Sequence, residues 1–95
     1  MGFKGQNTSD LRSGNTYFND YSSTNAYVEL SFGFPARKLS LVNDHDTDPV
    51  QVSWDGSTLH YQVEGAEYKD IDPHSRTSVY IKSTGGNATV RITAE

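Results

Sequence analysis

Between Val28 and Asn43 apolar residues fall on every second position: Val28, Leu30, Phe32 and Phe34 on even numbers, then Leu39 and Leu41 on odd numbers beyond Pro35. A period of two marks strands with one buried face, because successive side chains of a strand point to opposite sides. Pro35 has no N–H to give a ladder, so it belongs at the corner between two strands. The alternation recurs downstream and is missing upstream, which divides the chain into a β-rich body over 26–95 and a polar arm over 1–25.

Alternation places strands at 26–34, 37–43, 49–55, 58–64, 76–83 and 88–94. The inward set is Val28, Leu30, Phe32, Phe34, Leu39, Leu41, Val50, Val52, Trp54, Leu59, Tyr61, Val63, Val79, Ile81, Val90 and Ile92. Intervening residues such as Glu29, Lys38, Ser40, Ser53, His60, Lys82 and Arg91 face outward. Asp55-Gly56 and Gly85-Gly86-Asn87 supply residues that tolerate positive φ, so each predicts an antiparallel hairpin. Gly65 to Ser75, with Asp72-Pro73 as a turn opener, predicts a connection crossing between sheets. No stretch has helical periodicity. The fold class is therefore all-β, a small antiparallel sandwich of jelly-roll-like or immunoglobulin-like topology with an extended N-terminal arm.

Ninety-five residues with 34% hydrophobic content and a mean hydropathy of −0.68 allow one modest core, unsupported by any cysteine. Such a body gains from association with itself or with a larger partner. A net charge of −4 gives no basic field for phosphates, so nucleic acid is not an expected partner. Neither a signal-peptide core nor a membrane-spanning run is present in the sequence, so no membrane partner is expected.

More than half of residues 1–25 are Gly, Ser, Thr, Asn or Gln, and no Val or Ile occurs before position 28. That composition does not fold by itself. It is either an untethered leader or an arm that orders on a partner, with Phe3, Leu11, Tyr17, Phe18 and Tyr21 as its anchors.

Asn43-Asp44-His45-Asp46-Thr47-Asp48 sets carboxylates on alternate positions, as the opening of a calcium loop does. Pro49 stands where that loop needs Gly and Asp55 where it needs Glu, so a solvated acidic loop is the expectation and no metal or other cofactor is assigned. His45, His60 and His74 lack ligand spacing, and no Gly-x-Ser-x-Gly elbow or coupled Ser-His-Asp set is present. The chain is expected not to be an enzyme. A sugar-binding module is the rival expectation, with Tyr80 as the outward strand aromatic and Tyr68 in a loop.

Phe32-Gly33-Phe34-Pro35-Ala36-Arg37-Lys38-Leu39-Ser40-Leu41-Val42-Asn43-Asp44, Val50-Gln51-Val52-Ser53-Trp54-Asp55-Gly56 and the run from Val79 to Ile92 together resemble small β-rich structural proteins of tailed bacteriophage virions. The resemblance covers roughly 26–94. It implies a capsid decoration or cement protein, with a neck or tail component as the alternative, assembled in the host cytoplasm and located in the virion. It also implies the major capsid protein or another virion protein as partner, and a homo-oligomer, first a trimer.

Overall fold

The computed structural model describes residues 16–95 and contains eight strands and no helix among them. They are β1 (Tyr17–Ser22), β2 (Val28–Ser31), β3 (Leu39–Asn43), β4 (Val50–Ser53), β5 (Tyr61–Val63), β6 (Tyr68–Ile71), β7 (Ser78–Ser83) and β8 (Thr89–Ala94). Two antiparallel four-stranded sheets form, with orders β1-β8-β3-β6 and β2-β7-β4-β5. Only β4 and β5 are consecutive neighbours in one sheet; every other connection passes to the opposite sheet. Of the two expected topologies, this order is the jelly roll.

The core lies between the sheets and is aliphatic: Leu39, Leu41, Val50, Val52, Val63, Val79, Ile81, Val90 and Ile92 are fully buried, with Leu30, Phe32 and Ile71 nearly so. Each such side chain contributes about 1.5–3 kcal/mol relative to exposure. Alternation is why they meet, since β3, β7 and β8 bury every second residue without interruption.

Pro35 does mark a corner, and the chain changes sheets there. Ala36 N–H still bonds to Arg76 O just before β7 at 2.8 Å, whereas Arg37 N–H bonds to Glu95 O just after β8 at 2.7 Å. Gly33, with φ of 82°, makes the bend that ends β2 early.

Several expectations need correction. Gly85-Gly86-Asn87 does not close a hairpin: β7 is flanked by β2 and β4, so the chain crosses to the other sheet and β8 enters between β1 and β3. The segment 65–75 does cross between sheets but contains a strand of its own, β6, whose only buried apolar residue is Ile71. The division at position 26 also shifts, because Tyr17–Ser22 pairs with β8 along its whole length and belongs to the body. Among inward residues, Leu59 precedes β5 and is 49% exposed, and Val28 keeps the inward register beside Ile81 yet is 38% exposed on an edge strand. Trp54 lies just past β4, and it and Tyr61 are half-buried against the core instead of central to it.

Candidate interaction surface

The outward positions of β1-β8-β3-β6 form two rows across the sheet. Register aligns Phe18, Thr93, Ser40 and Asp70 in one, and Asp20, Arg91, Val42 and Tyr68 in the other. Phe18 is 60% exposed and Tyr68 58%, on the two flanking strands. Three strand spacings separate those strands, roughly 14 Å. Between the two rings lie small side chains and two ionic groupings.

Both groupings are satisfied within the face. Arg91 reaches Asp20 through Nε and Asp44 through Nη2, each at 3.3 Å. Asp70 Oδ1 accepts the Ser40 hydroxyl at 2.6 Å and the Tyr68 hydroxyl at 2.7 Å. Ser40 foremost, then Tyr68 and the charge of Lys38, holds the Asp70 carboxyl below its usual range. The bond to Asp70 also fixes how the Tyr68 ring stands on the sheet.

The outer face of β2-β7-β4-β5 is occupied by its own residues. Gln51 Nε2 donates to Gln62 Oε1 at 3.2 Å, and Gln62 Nε2 to Glu64 Oε2 at 2.6 Å. Lys82 Nζ sits 4.5 Å from the centre of the Tyr27 ring. Ser53 faces outward as expected but is fully buried, because the turn after β4 folds onto it. Its hydroxyl donates to Asp55 Oδ1 at 2.9 Å and accepts Gly56 N–H at 2.9 Å. Asp55 Oδ1 also accepts the N–H groups of Ser57 and Thr58, and these bonds, Ser57 first, push its carboxyl far down. Gly56 (φ 86°) lies so close to Tyr80 that a Cβ would be 3.0 Å from two ring atoms. The aromatic that a sugar platform would use is thus covered on that side.

The acidic stretch 43–48 is likewise turned to structural use. Buried Asp48 accepts the Thr84 hydroxyl and Gly85 N–H on Oδ1 at 2.8 and 2.7 Å, and Asn87 N–H on Oδ2 at 2.9 Å. The Asn87 N–H above all, helped by Gly85 and Thr84 and opposed by burial, holds its carboxyl at about 2. Asn43 donates through Nδ2 to the carbonyls of Asp48, Val63 and Glu64. His45 Nδ1 accepts the N–H groups of Thr47 and Asp48. With Asp44 on Arg91 and Asp48 enclosed by donors, the alternate carboxylates do not converge, and no group of three or more possible ligands exists among the described residues. No helix among them is long and apolar enough to cross a membrane.

Of the expected arm anchors, Phe3 and Leu11 lie outside the described residues. Tyr17 and Tyr21 point inward, half-buried against the core, with Tyr17 edge-on to Phe32 at 5.4 Å between ring centres. Burial, followed by the neighbouring Tyr17, raises the Tyr21 hydroxyl. Among the described members of that set, Phe18 alone is presented outward. Its companion Tyr68, expected in a loop, was hidden from sequence reading because β6 carries so little apolar pattern. No protein-family model matches the chain, and comparison with curated proteins and with solved structures finds no match.

Proposed function

We propose that this chain is a non-enzymatic structural protein of a tailed-bacteriophage virion, docking as a decoration or cement protein on the capsid shell through the outer face of β1-β8-β3-β6. The major capsid protein is its partner. The observation that carries this reading is the inequality of the two faces: one folds its own turn over Ser53 and onto Tyr80, while the other leaves Phe18 and Tyr68 exposed on either side of polar groups that pair with one another. Rings exposed in this way contribute little to folding and much to docking, where aromatics are the usual anchors. The carboxylates favour the same side of the question. Asp48, Asp55 and Asp70 are all shifted downward by bonds that hold turns or the sheet face, whereas a general acid working near neutrality needs its value raised. Jelly rolls serve viral capsid domains among other roles, a fold-level analogy that suits this reading without specifying it.

Co-sedimentation with assembled capsids tests the proposal. Phe18→Ser with Tyr68→Ser should leave the chain folded and reduce capsid occupancy at least tenfold, whereas Gln51→Ser on the other face should not. Equal occupancy of the double variant and the parent would remove the docking face.

A further inference from the structure

Among the described residues four strands are sheet edges: β1 and β6 in one sheet, β2 and β5 in the other. An open edge invites pairing with another chain, and proteins blunt it with short strands, charges or bulges. Three of these edges are blunted. β5 has three residues, β2 has four and exposes Glu29, and β6 has four and turns Lys69 toward the inner side of the sheet. β1 runs six residues, without proline, lysine or a bulge, in unbroken register with β8. Its one charge, Asp20, is drawn over β8 by Arg91.

The direction of the β1 main chain follows from its end. Ser23 N–H donates to Ala88 O at 3.0 Å, so the odd-numbered residues before it bond to β8, and Phe18, Asp20 and Ser22 aim their N–H and C=O groups at the open edge. We propose that two copies of the chain pair antiparallel along β1, across a twofold axis at Asn19, to make one continuous sheet. Matching inner with inner face restricts the register to a few choices. An axis at Asp20 would set Asp20 against its own copy, a like-charge contact that destabilises a pair. An axis at Asn19 sets Phe18 opposite Asp20 and Thr16 opposite Ser22, each pair exchanging both main-chain bonds, and brings Tyr17 beside Tyr21 on the inner side. The occupant is a second copy because the edge is self-complementary in length, face and direction, and an isologous pair covers both open edges at once. The assembly is a dimer, in place of the trimer that the resemblance implies, and it leaves Phe18 and Tyr68 on the outer face.

The chain contains no cysteine, which makes cross-linking selective. Asn19 faces its own copy at a close, non-hydrogen-bonded position, within the Cα separation that a disulfide spans. Asn19→Cys should therefore oxidise to a covalent dimer at least tenfold faster than Ser22→Cys, whose counterpart lies opposite Thr16. Sedimentation without capsids supplies the second measurement: the parent and Phe18→Ala should be dimers, and Phe18→Pro, which removes an edge N–H while keeping the bonds to β8, should be a monomer. A monomeric or trimeric parent, or equal cross-linking of the two cysteine variants, overturns the pairing. Neither measurement involves the capsid, so its outcome is separate from that of the docking proposal.

Discussion

The two outer faces of the sandwich share one backbone plan and differ in what covers them. On β2-β7-β4-β5 the turn after β4 folds back over Ser53 and presses Gly56 onto Tyr80, and glutamines and a cation–π pair occupy part of the remainder, with Glu29 and Ser31 exposed on β2. On β1-β8-β3-β6 the ionic groups satisfy one another, yet among the described residues nothing covers Phe18 or Tyr68. The difference teaches that an exposed ring on a small sandwich gains meaning from the opposite face, where the same protein shows that it can cover one. Both faces depend on the end where Asn43, Asp48 and Gly65 tie the crossing loops together.

That shared end should be the most sensitive place. A Cβ at Gly65 would meet Asp46 O in the facing loop, so Gly65→Ala should cost about 3 kcal/mol or more and loosen both faces together, as denaturant unfolding would show. Unchanged stability would break the idea of a common support. Acid should act on the same end. Asp48 has its folded value lowered to about 2, so its contribution is complete above the ordinary carboxylate range and is lost as pH falls from about 4 toward 2. Asp48→Asn should flatten the stability profile in that window while lowering stability at neutral pH; an unaltered profile would assign the acid sensitivity elsewhere.

On the covered face, Gly56→Ala combines a positive φ with a ring contact and should cost about 1–2 kcal/mol, lowering Tm by roughly 5–15 °C. The smallest effect belongs to the open face, where Phe18→Ser and Tyr68→Ser should each change stability by no more than about 0.5 kcal/mol. A loss of 2 kcal/mol at either site would mean that the ring is part of the fold, and the contrast between faces would collapse.

The alternating stretches were legible because burial on one face imposes period two: Leu30, Leu39, Leu41, Val52, Val79, Ile81, Val90 and Ile92 all lie in the core as their spacing predicts. β1 was not legible, since Tyr17, Asn19 and Tyr21 occupy its inward positions and none is aliphatic. β6 escaped for a similar reason, with only Ile71 to announce it. Turn chemistry misled at Gly85-Gly86-Asn87, because glycines specify a reversal but not which sheet receives the next strand. Leu59 and Val28 show the other limit, as parity names a side chain's direction and not whether anything lies there to cover it. The candidate face followed suit: Phe18 was singled out with the arm, while Tyr68 required the register of β6 with β3.

The pairing of β1 with β8 has a kinetic consequence. Asp20 and Arg91 are 71 residues apart in the chain, an interval that takes about 4–14 s to synthesise at bacterial or eukaryotic rates. Through that interval β1 has been made while β8, the strand it pairs with in the sheet, does not yet exist. Its tyrosines, asparagines and hydroxyls, ill suited to announcing a strand, are well suited to this wait, because a Val- or Ile-rich segment left unpaired for so long invites aggregation. The weak apolar pattern that hid β1 is, during synthesis, its protection.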